Sequence, residues 1–373
     1  EFHERSLPGD LGLALALDAR TSLRTDLRLL VMSATLDATR LADLVGGGEP
    51  APIIEAEGRT HPVEILWRPR RQKDRLEPAV VGAVRSALAE EGDVLVFLPG
   101  RGEIRRVERA LAEADLPPDV EVAALHGSLP ADQQDAAVSP ASPGRRKVVL
   151  STDVAETSLT VEGVTTVIDT GLVRTPRFDA RTGMTALTTI ATSRSSAEQR
   201  AGRAGRVRPG TAIRLWSKLE HASRPAFAAP EIGQVDLAGL VLELALWGVT
   251  DPAELPFLDQ PPGRSWKEAV ELLRRLGALD DDGRPTDQGR GMADLPLHPR
   301  LARMVAVHAD GTHGRLACLL AALLEDRDVL RGRPDDVPAD LAIRLALLDD
   351  PGRRHHLADG RSLRRARDRA DAI

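Results

Sequence analysis

Residues 197–210 read AEQRAGRAGRVRPG, with arginines at 200, 203, 206 and 208 separated by alanines and glycines. Ser195 and Ser196 stand three positions before Glu198 and Gln199, a capping-box pattern that starts a helix near Ala197. On that helix Gln199, Arg203 and Arg206 fall at i, i+4 and i+7 and share one face. Gly202 and Gly205 forfeit packing on the same helix, which is costly unless another backbone comes close. Forked guanidinium groups match the oxygens of a multiply charged anion, so the chemistry expected here is phosphate binding.

Two further groups carry polar side chains where chemistry is done. In LSTDVAETSLT, Thr152, Asp153, Glu156, Thr157 and Ser158 follow a short apolar run. They form either a phosphate-gripping loop or a polar turn in which Ser and Thr cap themselves. At the N-terminus, EFHER offers Glu1 and His3, and Ser33, Ala34 and Thr35 end the run LRLLVMSAT.

The elements that must position these groups follow from periodicity. DLGLALALDARTSL reads as a helix and LRLLVMSAT (27–35) as a strand. After the proline-marked HPVEILWRPR, strands DVLVFLPG, VEVAALHGSL and RRKVVLST alternate with helices GEIRRVERALAEAD and ADQQDAAV. Such alternation implies a parallel sheet with right-handed crossovers. GVTTVIDTG and GTAIRLW add two strands, and RFDARTGMTALTTI between them reads as a hairpin turning at RTG. From about Pro230 the pattern becomes helical: DLAGLVLELALWG, then SWKEAVELLRRLGALD, the turn DDGRPTDQGR, and a further helical segment from LPLHPRLARM. A helix pair followed by a polar turn fits a winged helix. Trp216, Trp247 and Trp266 fall on apolar faces and are expected in cores.

At 373 residues the chain is long enough for two to four domains. A net charge of −6 argues against wholesale coating of nucleic acid and leaves local basic patches open. One such patch is the stretch above; another, Arg353 to Ile373, reads as a solvated helix end. The single cysteine, Cys318, rules out an internal disulfide framework or thiolate metal site and fits the cytosol. His126 and the pair His355 and His356 have no metal-ligand spacing. No apolar run is long enough to span a membrane and no signal peptide is visible; the absent initiator Met is expected of a fragment.

In this order the segments resemble one family, the superfamily 2 DEAH/RHA-box ATP-dependent helicases, most closely its bacterial HrpB type. EFHERSL resembles the end of motif II, SAT motif III, STDVAETSLT motif V and QRAGRAGR motif VI. The resemblance implies an α/β fold of RecA-like domains: the C-terminal part of a first one (1–69), a complete second one (70–220), a winged helix (221–295) and the start of a ratchet-like helical domain (296–373). It implies ATP and Mg²⁺ as cofactors and nucleic acid, RNA favoured, as partner, with 3′-to-5′ translocation. By the same resemblance Glu1 activates the attacking water near Mg²⁺, and His3 couples the nucleotide and nucleic-acid sites. Ser33, Ala34 and Thr35 link hydrolysis to domain closure. Gln199 and Arg203 meet the γ-phosphate and Arg206 is the arginine finger. Thr152, Thr157 and Ser158 contact the nucleic-acid backbone, and the hairpin at 177–190 parts strands.

There are departures from the family pattern. A phosphate-binding loop needs lysine after glycine, whereas Lys73, Lys147, Lys218 and Lys267 follow Gln, Arg, Ser and Trp. The missing N-terminal RecA half is therefore expected to be required for activity. Leu172 stands where many relatives carry an adenine-stacking aromatic, and Asp153 replaces a frequent asparagine. Two other readings compete: a nucleic-acid-binding or docking module without ATPase activity, and a RecA-like NTPase acting on protein.

Overall fold

The computed structural model describes residues 1–373 except 34–37, 56–60, 72–73, 157–158, 180, 310, 312 and 334. It forms two compact units, Glu1–Val235 and Asp236–Ile373.

The first unit is organised by a six-stranded parallel sheet, order β1-β8-β5-β2-β4-β3. Its strands are β1 (Val63–Trp67), β2 (Asp93–Phe97), β3 (Val120–Leu125), β4 (Arg146–Ser151), β5 (Val164–Asp169) and β8 (Gly210–Arg214). β2 and β5 are buried along their whole length, and all of β4 but Arg146 is buried, as expected of strands covered on both faces. Alternate side chains serve the two faces. Val94, Val96, Val148, Leu150 and Ile168 pack with α3 (Leu76–Ala87) and α4 (Arg101–Ala112). Leu95, Phe97, Val149 and Val167 pack on the other side with α5 (Ala131–Val138) and α6 (Arg194–Gly202). Burying each such side chain contributes about 1.5–3 kcal/mol, so the sheet is a rigid base for the loops at its strand ends.

Between β5 and α6 the chain leaves the sheet as an antiparallel hairpin, β6 (Leu172–Asp179) and β7 (Met184–Ala191), in unbroken register from Leu172↔Ala191 to Asp179↔Met184. The expected hairpin is present. Before β1 come α1 (Leu7–Ser22), capped by the Ser6 side chain, and α2 (Ala38–Gly46); α7 (Lys218–Ser223) follows β8.

The expected strand at 27–35 needs correction. Residues 28–33 form no strand: Leu30 and Met32 are 80% and 69% exposed, and an isolated extended segment cannot satisfy its own backbone groups without a neighbouring strand. α3 carries Pro78 in its first turn, where a missing N–H costs nothing. Val63–Trp67, within the segment expected as 1–69, is the edge strand of the sheet and pairs with Gly210–Arg214.

The second unit comprises α8 (Ala238–Trp247), α9 (Gly263–Arg275), α10 (Asp287–Ala293), α11 (Pro299–His308), α12 (Gly314–Glu325), α13 (Leu341–Asp349) and α14 (Gly360–Ala372). An antiparallel bridge, Leu279↔Pro285, closes the turn between α9 and α10. Trp216 and Trp266 are buried as expected, but Trp247, beside the glycine that ends α8, is 43% exposed. The arginines of α14 are largely engaged locally, Arg365 with Asp326 and Arg367 with the Leu348 carbonyl, which fits a structural helix end. Among the described residues no helix is long and apolar enough to cross a membrane.

Candidate nucleotide-facing site

The N-terminal residues are held by a built local structure. Phe2–Glu4 make one 3₁₀ turn, and the Phe2 N–H donates to the Met32 carbonyl at 3.0 Å, which brings EFHE beside the segment carrying Ser33. Arg5 closes the turn in a left-handed conformation and makes a buried bidentate pair with Asp10 at 2.9 and 3.0 Å. His3 Nδ1 lies 3.4 Å from the Glu1 carboxylate, with the imidazole almost wholly buried and the carboxylate mostly open. Ser33 is exposed; Ala34 and Thr35 lie outside the described residues.

The arginine helix begins three residues earlier than expected. Ser193, not Ser195 or Ser196, is the N-cap, accepting from the Ser196 N–H at 3.1 Å. The α-helix stops at Gly202, and Arg203–Gly205 continue as a 3₁₀ turn. That change of pitch breaks the shared face. Gln199 stays partly buried and Arg206 is exposed, but Arg203 turns inward. Its Nε donates to the Glu156 carbonyl at 2.9 Å, its Nη1 to the Leu159 carbonyl at 3.1 Å, and its Nη2 also to Glu156.

Arg200, which the motif spacing did not single out, is 1% exposed. It pairs with Glu156 at 2.8 Å and Asp169 at 3.1 Å, and its guanidinium lies 4.9 Å from the centre of the Phe97 ring. Burial alone pulls its pKa down, but the Asp169 and Glu156 carboxylates outweigh that and raise it, so the group stays charged. A signal for it existed: Ala197, Arg200, Ala201 and Ala204 recur at i, i+3, i+4 and i+7, all buried, so Arg200 lies on the inward face.

Three arginines thus hold the loop after β4. Arg200 takes the Glu156 side chain, Arg203 the Glu156 and Leu159 carbonyls, and Arg206 the Thr160 hydroxyl at 2.5 Å. In that loop Thr152 donates its N–H to the Leu125 carbonyl at 3.2 Å, Asp153–Ala155 make a 3₁₀ turn, and Asp153 is exposed. Thr157 and Ser158 lie outside the described residues.

Only one of the two motif glycines serves close approach. A Cβ on Gly205 would meet the His61 carbonyl oxygen at 2.5 Å, whereas one on Gly202 would meet nothing within 4 Å. Gly205 lets the 3₁₀ turn after α6 sit against the entry to β1.

Burial, then the neighbouring Arg206 charge, pushes the Arg203 pKa down to about 10, with Glu156 and Glu1 acting in the opposite direction. An oxyanion placed between the two arginines would relieve their repulsion, while the open carboxylate of Glu1 can accept a proton from water. For Mg²⁺, Glu1 is a hard oxygen donor, but no group of three or more His, Cys, Asp or Glu is placed to hold a metal among the described residues.

Residues 79–208 match the helicase conserved C-terminal domain and residues 269–297 the winged-helix helicase associated domain (HA2). The ATP-dependent RNA helicase HrpB of Escherichia coli K12 is 46% identical over 327 residues, 87% of this chain and 40% of that protein. The chain belongs to the DEAH/RHA helicase family, on its HrpB-type branch. The crystal structure of the Escherichia coli DEAH/RHA helicase HrpB superposes with a TM-score of 0.86 at 42% identity, covering 100% of this chain and 44% of that one. The fission yeast pre-mRNA-splicing factor ATP-dependent RNA helicase prp22 is 36% identical over 331 residues, 87% of this chain and 28% of that protein. This HrpB-type chain thus spans about two fifths of the HrpB length, and its sheet with flanking helices is a RecA-like domain followed by a winged helix.

Proposed function

We propose that the chain is the arginine-bearing half of an ATP-dependent RNA helicase acting in the cytosol, which couples ATP hydrolysis to 3′-to-5′ translocation and unwinding. The observation that carries this reading is that the arginines of the 194–206 segment hold the loop after β4. A change at the nucleotide-facing end must then be felt by the loop proposed to hold nucleic acid. ATP with Mg²⁺ would supply the phosphoryl transfer. Arg206, exposed and tethered by one nitrogen to Thr160, is free enough to meet transition-state charge; Gln199 lines the approach, and Arg203, expected at the γ-phosphate, turns inward and serves by holding the loop after β4. Glu1 is the proton acceptor for attacking water, and His3 orients it. Thr152, Thr157 and Ser158 bear on the nucleic-acid backbone, Ser33, Ala34 and Thr35 on domain closure, and the exposed hairpin parts strands.

Arg206→Ala in the full-length protein is expected to lower kcat by at least about 10²-fold with little change in nucleotide affinity. The 373-residue chain contains no glycine-lysine phosphate loop, so it should release no phosphate from ATP by itself. Turnover at the wild-type rate in the variant would remove Arg206 from catalysis. Magnesium-dependent turnover by the 373-residue chain at the full-length rate would overturn the two-half reading.

A further inference from the structure

The hairpin is gripped at its root by a side chain outside every recognised motif. Arg224, just after α7, donates from Nη1 to the carbonyls of Gly171 at 2.8 Å and Thr192 at 2.9 Å. Those residues immediately flank the first and last hairpin residues, Leu172 and Ala191, and the Thr192 N–H joins them by donating to Gly171 at 3.0 Å. The guanidinium lies 4.2 Å from the centre of the buried Trp216 ring. Gly171 has φ +70°, and a Cβ there would meet Arg224 Nη2 at 2.5 Å and Trp216 Cε3 at 2.6 Å, so only glycine lets the clasp close.

The same short segment also holds the arginine helix. The carbonyls of Pro225 and Ala226 accept the N–H groups of Arg194 and Ser195 at 2.9 Å each, in the first turn of α6. Beyond its root the hairpin has few anchors: Phe178 N–H reaches the Gln234 carbonyl at 2.9 Å and Arg174 pairs with Glu103 at 3.1 Å, while Met184, Leu187 and Ile190 are exposed. Its direction is therefore set mainly where Arg224 holds it. A second link runs from α6 itself, since Arg200 Nη1 reaches the Leu172 carbonyl at 3.3 Å.

We propose that Arg224 is a positioning residue that makes the β6–β7 hairpin and α6 move as one body, delivering displacement of the phosphate-facing arginines to the hairpin tip. This rests on the reading of the hairpin as the strand-parting element. The test is Arg224→Met, which keeps the stem but removes both donors. Amide exchange across residues 172–191 should accelerate by at least about tenfold, with β2, β4 and β5 unchanged. In the full-length protein, duplex unwound per ATP should fall by at least about tenfold while ATP turnover without RNA holds within about twofold. Hairpin exchange at the wild-type rate, or a parallel loss of RNA-free turnover, would overturn the proposal. Should the Met variant not fold, Arg224→Gln, too short to reach both carbonyls, carries the same comparison. Shortening the hairpin tip separates the two claims: unwinding that survives it refutes the strand-parting role, while the exchange result still judges Arg224.

Discussion

Replacing Arg200 with methionine tests whether α6 is held by a buried charge or by packing alone. Methionine fills nearly the same volume, so the cavity term is small and the loss is electrostatic. The substitution leaves Asp169 at 2% and Glu156 at 13% side-chain exposure without their guanidinium, and it removes the cation from over Phe97. Removing one partner of a buried ion pair costs about 3–5 kcal/mol. A loss of about 4 kcal/mol is about a thousandfold in the opening equilibrium of the first unit. It should be read from the slowest-exchanging amides of β2, β4 and β5, which report unfolding of the whole sheet. A double-mutant cycle with Asp169→Asn should give a coupling of about 1–3 kcal/mol, because the two side chains share one network. A loss below about 1 kcal/mol, the range of solvated surface pairs, would mean that the carboxylates reach water in solution and that the buried-charge account of α6 is wrong.

The two motif glycines should respond in opposite directions. Gly202→Ala is expected to raise stability by about 0.5–1 kcal/mol, since its Cβ meets nothing and the unfolded chain loses freedom. Gly205→Ala should cost about 1–3 kcal/mol through overlap with the His61 carbonyl; urea titration of both variants decides, and equal effects would contradict the close approach. In the second unit, burial acts to raise the Asp328 pKa, but hydrogen bonds from Arg344 and the Leu330 N–H outweigh it, so the pKa is lowered from 3.8. Its stabilising contribution is thus complete above about pH 4 and is lost as pH falls through the lowered folded-state value. Asp328→Asn should flatten that acid limb in a circular dichroism titration, and an unchanged limb would assign the acid loss to other carboxylates.

Much of this architecture was legible because local pattern and global fold agree. The apolar runs at 93–98, 146–151 and 164–169 have the length and composition of strands covered on both faces, and RTG between alternating residues is sufficient for a hairpin. The failures share a cause. LRLLVMSAT has strand composition, but a strand exists only when a neighbour takes its backbone groups, and pairing is invisible to periodicity. The inward turn of Arg203 depends on a pitch change at Gly202, which face counting at 3.6 residues per turn assumes away.

The same limit applies to the arginines. Spacing along one helix identifies groups that point the same way, so it favours an exposed phosphate face and passes over Arg200. The partners of Arg200 lie 44 and 31 residues away in sequence, Glu156 in the loop after β4 and Asp169 at the end of β5. Arg224 is harder still, since its acceptors are backbone carbonyls at positions 171 and 192 that carry no side-chain signature. A buried guanidinium is tolerated only when acceptors surround it, so a single arginine among small buried residues signals convergence of distant chain segments. In this chain that convergence joins α6 to the loop after β4 and to the hairpin root. Arg200, outside the shared face, holds α6 to both of them.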